Sequence, residues 1–157
     1  MNLYSDSVKE TRGIGYKIGK ELRSGEVIFL SGILGAGKTE LIRGIAKGLG
    51  VKSKIPSPTF NIFRVYDYIF SCRNRACPVR LKKKGKLYHF DCYRLKNYSD
   101  LVNLGWEEIL ADKNSVIVLE WPECIADKDI TKLARKKVIT VEIKIKDSKR
   151  TINLSQK

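Results

Sequence analysis

The stretch Gly32-Ile33-Leu34-Gly35-Ala36-Gly37-Lys38-Thr39 carries the densest chemistry in the chain. Its spacing, G-x-x-x-x-G-K-[ST], is that of a phosphate-binding loop. Glycines at 32, 35 and 37 allow a tight turn and leave backbone N–H groups uncovered. Those donors, with the positive end of a following helix, suit the α- and β-phosphates of a nucleotide. Lys38 is expected to reach the β- and γ-phosphates, and the Thr39 hydroxyl to ligate Mg²⁺. The expected nucleotide-binding set is Gly35, Ala36, Gly37, Lys38, Thr39 and Glu40.

Two carboxylates and a hydroxyl lie further along. Glu120 ends the apolar run Ser115-Val116-Ile117-Val118-Leu119. An acid at the carboxyl end of a buried parallel strand stands where ligands bind in open α/β sheets. It resembles a Walker B acid, with Glu for the usual Asp, suited to Mg²⁺ ligation or water activation. Trp121-Pro122 then forms a rigid turn near the site. Asp91 lies in Leu87-Tyr88-His89-Phe90-Asp91-Cys92-Tyr93, read as a strand. There His89, Asp91 and Tyr93 share one face by period 2. Asp91 suits a metal or water, whereas a lone His89 is more often structural. Thr59 ends the stiff loop Ile55-Pro56-Ser57-Pro58 and could sense a γ-phosphate or simply start a strand. The catalytic candidates are Glu120, Asp91 and Thr59; the metal candidates are Thr39, Glu120 and Asp91. A zinc set of Cys72, Cys77, His89 and Cys92 does not converge, because His89 and Cys92 point to opposite strand faces.

The elements needed to position these groups can be read from periodicity. Glu26–Ser31 is an apolar strand. Leu41, Ile45 and Leu49 recur every four residues in a helix closed by Gly50. Residues 6–23 read as an amphipathic helix capped by Ser5 or Asp6, with Val8, Ile14, Ile18 and Leu22 inward; Gly13, Gly15 and Gly19 weaken it. Asn61–Tyr68 and Leu87–Tyr93 read as an antiparallel hairpin. Residues 99–110 read as a capped short helix, a break at Gly105 and a second helical turn carrying Trp106 in core or interface. Residues 137–145 alternate as a half-exposed edge strand, and a polar tail follows from 147. The expected fold is α/β: a P-loop NTPase-like three-layer arrangement with a mostly parallel central sheet plus an antiparallel hairpin. It forms one domain over 1–146, with a basic hairpin insertion at about 69–86 and the tail 147–157.

At 157 residues and 43% hydrophobic content the chain is long enough for a substantial core. No apolar run approaches the ~20 residues of a membrane helix. No signal peptide is visible, and the four cysteines lack a disulfide-framework pattern, so the expected location is cytoplasmic. The formal net charge is +14, and seven basic residues with no acidic one fall within 69–86. Such a segment suits RNA phosphates, or is simply a solvated loop.

Four motifs in order carry a resemblance over nearly the whole chain: the loop Gly32–Thr39, Ser57-Pro-Thr-Phe60, His89-x-Asp-x-Tyr-Arg94 and Glu120-Trp-Pro-Glu123. Together they resemble the bacterial tRNA threonylcarbamoyladenosine biosynthesis family TsaE. The resemblance implies a small ATPase using ATP and Mg²⁺. It would assist TsaB and TsaD, which modify adenosine 37 of tRNAs reading codons beginning with A. Its hydrolysis would be weak alone and stimulated by those partners. It also implies that Lys38 and Thr39 bind phosphate and metal, that Thr59 belongs to a switch-like loop, that Asp91 and Glu120 serve metal and water, and that Trp121 lies beside the nucleotide. Two departures stand out: Ile33 where the family usually has Asp, and the long basic segment at 69–86. Two other readings fit parts of the pattern. One is a stand-alone P-loop kinase for a small metabolite. The other is a basic tRNA-binding module whose nucleotide site has decayed.

Overall fold

The computed structural model describes residues 1–56, 62–71, 82–125, 137–147 and 149–156. In chain order the elements are β1 (Asn2–Ser5), α1 (Val8–Glu21), β2 (Val27–Gly32), α2 (Lys38–Leu49), β3 (Phe63–Ser71) and β4 (Lys82–Asp91). There follow α3 (Tyr98–Val102), α4 (Trp106–Ala111), β5 (Ser115–Glu120), β6 (Val138–Lys146) and β7 (Lys149–Gln156). Single 3-10 turns, Cys92–Arg94 and Pro122–Cys124, leave the ends of β4 and β5.

The strands form one sheet in the order β1-β7-β6-β2-β5-β4-β3. The neighbouring pairs β6–β2, β2–β5 and β5–β4 are parallel; β3, β7 and β1 join antiparallel at the two sides. This bears out the α/β, mostly parallel expectation and the antiparallel pairing of β3 with β4. The central strands read as continuous apolar runs because both faces are covered. All six residues of β5 are buried. On one face Ile28, Leu30, Val116, Val118 and Leu87 pack with Leu41, Ile42 and Ile45 of α2. On the other, Ile117, Leu119 and Phe90 pack with Leu101, Trp106 and Ile109 of α3 and α4. Trp106 is therefore core, and Phe90 meets it edge-on with ring centroids 5.4 Å apart.

Helix α1 begins two residues later than expected. Ser7, not Ser5 or Asp6, is its cap, accepting the Glu10 N–H at 3.1 Å. Ser5 is in β1, where its hydroxyl pairs with that of Thr11 at 2.8 Å. Val8, placed inward by the periodicity, is exposed; Thr11, Gly15, Ile18 and Gly19 are the buried residues. Two of the glycines that weaken the helix in isolation, Gly15 and Gly19, are its contact with α2, whereas Gly13 faces open space. A Cβ on Gly15 would stand 2.2 Å from the Leu41 carbonyl oxygen, and one on Gly44 would stand 2.2 Å from that of Arg12. The two backbones meet where no side chain fits.

Four further expectations are corrected. Strand β6 is internal, between β2 and β7, and the polar tail from 147 is in fact β7 over 149–156. In β7, Ile152 is fully buried while its neighbours stay polar because only one face is covered. Strand β1, at the outer edge of β7, was not anticipated at all. The hairpin strands run longer than expected, so 69–71 and 82–86 of the basic segment belong to β3 and β4 rather than to an inserted loop. Finally, β4 ends at Asp91, which places Tyr93 in the 3-10 turn rather than on the strand.

Candidate active site

The phosphate-binding loop lies between the carboxyl end of β2 and the start of α2, as the motif requires. Gly37 caps α2 with φ 102°, a left-handed conformation that glycine adopts without strain. Gly37 has no side chain to cap this helix start, so among the described residues the first-turn N–H groups meet no side-chain acceptor. A Cβ at Gly37 would also lie 3.2 Å from the Arg150 side chain. Arg150, on β7, donates from Nε to the Ala36 carbonyl at 3.1 Å and braces the loop from behind.

Lys38 is almost completely buried. Its ammonium donates to the carbonyls of Gly32 at 2.7 Å and Ile33 at 3.1 Å, and stands 3.6 Å from the centroid of the Trp121 ring. Burial pushes the Lys38 ammonium below its usual 10.5, against the pull of Glu120, Glu123 and Asp91. A cation held this way is poised for an anion that would return its charge balance. Trp121 has φ 59° and ψ 48°, an uncommon backbone for a bulky residue. Its N–H donates to the Leu30 carbonyl at 3.1 Å, which ties the end of β5 to the end of β2 and directs the ring over the loop. Tyr93 stands against that ring with centroids 5.1 Å apart.

Across the cleft, Asp91 and Glu120 are register partners at the ends of β4 and β5. Strand alternation puts both, with His89, on the face covered by α2. His89 is fully buried, and its Nε2 lies 2.7 Å from Glu120 Oε1. Its buried Nδ1 has no hydrogen-bond partner among the described residues. An unpaired buried lone pair is less costly than an unpaired N–H, so the proton belongs on Nε2, donated to Glu120. Asp91 Oδ1 accepts the Tyr93 N–H at 3.1 Å, which starts the 3-10 turn. The cleft has a volume of 420 Å³ and is lined by Gly35 through Glu40, Asp91, Tyr93, Arg94, Glu120 and Trp121, with Leu34 and Ile62 at its edge.

The donor set fits a polyphosphate with a hard cation. Thr39, Asp91 and Glu120 supply oxygens to one cleft. Among the described residues no group of three His, Cys, Asp or Glu could hold a metal unaided. Two carboxylates and a hydroxyl at one cleft suit Mg²⁺, which binds through one or two carboxylates while water and substrate phosphates fill its remaining positions.

A family model described as "Threonylcarbamoyl adenosine biosynthesis protein TsaE" matches residues 5–152. The chain belongs to the TsaE family. The Aquifex aeolicus tRNA threonylcarbamoyladenosine biosynthesis protein TsaE is 34% identical over 149 residues, covering 87% of this chain and 100% of that protein. The Treponema pallidum protein of the same name is 35% identical over 108 residues, 69% of each chain. The crystal structure of Bacillus subtilis YdiB superposes with a TM-score of 0.69 at 25% identity, covering 99% of this chain and 84% of that one.

In this TsaE-family chain the structure brings Gly35, Ala36, Gly37, Lys38, Thr39, Glu40, Asp91, Glu120 and Trp121 to one cleft. The Glu40 carboxylate is taken by Arg12 and Arg43. Burial alone would raise its pKa, but the two guanidiniums together hold it below the usual range. Its backbone N–H, in the first turn of α2, is what remains to offer an anion. Thr59 lies outside the described residues, as do Cys72 and Cys77. Reasoning from sequence missed three participants: Arg150, in the supposed tail; Arg94, quoted in a motif without a role; and His89 as the partner of Glu120. The shared face of His89 and Asp91 was the available signal for the last.

Proposed function

We propose that this chain binds ATP with Mg²⁺ in the cleft and hydrolyses it. It does so in the cytoplasm, in support of threonylcarbamoyladenosine formation at position 37 of tRNAs reading codons beginning with A, together with TsaB and TsaD. The supporting observation is the convergence on one cleft of a buried Lys38 ammonium, the uncapped start of α2 and the Asp91–Glu120 pair. Family membership supports the tRNA-modification role. No helix among the described residues is long and apolar enough to cross a membrane.

In this reading Lys38 exchanges the Gly32 and Ile33 carbonyls for phosphate oxygens, and the N–H groups at the start of α2 hold the phosphates behind it. Mg²⁺, when bound, offsets the phosphate charge and polarises the γ-phosphoryl group. Thr39 and Asp91 are the oxygen ligands that the chain supplies. Glu120, fixed at Oε1 by His89, keeps Oε2 to accept a hydrogen from the attacking water. Trp121 and Tyr93 close the apolar side of the cleft.

The test is ATP hydrolysis by the purified protein, alone and with TsaB, TsaD and tRNA. Wild type should be slow alone and faster with partners. Lys38→Ala should lose about 100-fold or more, as removal of one preorganised charge-stabilising donor typically does. Glu120→Gln should keep ATP bound, measured by calorimetry, and slow hydrolysis. Partner-independent phosphoryl transfer to a small metabolite would overturn the reading in favour of a kinase. Loss of ATP binding in Glu120→Gln would make that residue a metal ligand instead.

A further inference from the structure

Strand β4 is paired on both sides only over part of its length. Its pairing with β5 begins at Lys86, opposite Ser115. Its pairing with β3 continues four residues further, through Gly85, Lys84, Lys83 and Lys82, to end at Ser71. The β3–β4 hairpin therefore runs past the sheet as a two-stranded ribbon. Its root is pinned. The Tyr68 ring crosses Gly85, where a Cβ would stand 2.5 Å from the ring, and the Tyr68 hydroxyl donates to the Asn114 carbonyl at 3.5 Å. Beyond that root Ile69 and Lys84 face solvent.

The sequence from the end of β3 into β4 carries charge of one sign. Residues 69–86 hold seven basic and no acidic side chains, half of the formal net charge of +14. Asp67 is the register partner of Lys86, and Lys84, Lys86, Asp67 and Asp112 line one small groove at the root. Lys82, Lys83 and Lys84 occupy three of the four β4 positions that continue beyond Lys86. They lie at the amino end of β4, with Asp91 and the cleft at its carboxyl end, about 23 Å of extended strand away. The ribbon is thus separate from the nucleotide site.

We propose that the β3–β4 ribbon is an RNA-binding arm that holds the phosphate backbone of tRNA through Lys82, Lys83 and Lys84. The choice of tRNA as the polyanion rests on the tRNA-modification reading above; the ribbon's reach and charge do not. A pinned root, an exposed Lys84 beyond it and a lysine-rich sequence suit backbone contact, which positions a nucleic acid without reading its sequence. Such contacts release counterions, so the logarithm of the binding constant falls with that of salt by ~0.7–0.9 per phosphate contact.

The experiment measures binding of unmodified tRNA to the whole chain by fluorescence anisotropy across a salt series, with ATP binding measured on the same samples. Replacing Lys82, Lys83 and Lys84 together by Gln should weaken tRNA binding about tenfold or more at low salt and flatten the salt slope by about two to three units. The matching triple replacement by Arg should bind like wild type. Lys38→Ala should keep the wild-type tRNA affinity and slope. Absence of salt-dependent tRNA binding by wild type overturns the proposal. So does a Gln triple that binds like wild type, or tRNA affinity lost in Lys38→Ala. Failure of ATP binding alone overturns the nucleotide reading and leaves the ribbon standing.

Discussion

His89 and Glu120 show most plainly what a single side chain does in this cleft. A carboxylate that is nearly fully buried needs a donor, and His89 Nε2 supplies it at 2.7 Å. The bond fixes Oε1 and thereby aims Oε2. His89→Ala should lower kcat about 10-fold or more, the usual loss for a residue that orients a catalytic ligand, with little change in KM for ATP. His89→Gln, which carries an amide N–H donor, should recover part of kcat. Equal losses in the two variants, or a change confined to KM, would show that the histidine only fills space. The phosphate-binding loop and Glu120 were legible in the sequence because each is a local pattern: glycine spacing around a lysine, and an acid after an apolar run. The His89–Glu120 bond was not, because 31 residues separate the partners and only the parallel pairing of β4 with β5 makes them neighbours. Arg150 escaped for the same reason, reaching Ala36 across 114 residues.

Among the elements, the α1–α2 contact inverts the ordinary meaning of glycine in a helix. Each Gly costs about 1 kcal/mol of helix propensity against Ala. Here Gly15, Gly19, Gly44 and Gly48 let two backbones approach so closely that a Cβ at any of them would stand 2.2–2.3 Å from a facing carbonyl oxygen. Gly44→Ala should therefore destabilise the protein despite alanine's better propensity, by about 1–3 kcal/mol as overpacked sites do. The midpoint of urea unfolding is the readout; a midpoint that rises would mean that the helices separate freely. Because α2 begins at Lys38, the same contact sets how the phosphate-binding loop meets the rest of the molecule. Helix α2 was legible from its four-residue repeat and its closing Gly50. Helix α1 was legible only as a weakened helix, since nothing in one segment says that its glycines have partners in another. Strand β6 looked like an edge because Lys144 and Lys146 at its end are exposed, while Ile139, Val141 and Ile143 are buried between two neighbours.

At the scale of the molecule, the residues read as a tail complete the sheet. Strand β7 pairs with β6 on one side and β1 on the other, and it buries Ile152 in the main core. A chain stopped after Asp147 should lose that burial, worth about 1.5–3 kcal/mol for Ile152 alone, and with it the ladder that holds β1. Given the 5–15 kcal/mol typical of whole domains, the shortened chain should be insoluble or melt without a cooperative transition in far-UV circular dichroism. A sharp transition at the full-length temperature would return these residues to the status of a tail. Two apolar side chains in an eight-residue polar run gave too weak an alternation to announce a strand covered on one face. The Lys38 ammonium bears on the order in which the protein assembles. Two carbonyls of its own loop and an aromatic face partner it without supplying a counter-charge, so the fold can hold the lysine before any anion arrives. The protein should therefore melt cooperatively in the absence of nucleotide. On the proposed nucleotide-binding reading, ATP should then raise the melting temperature only by mass action, with the logarithm of its concentration relative to the dissociation constant.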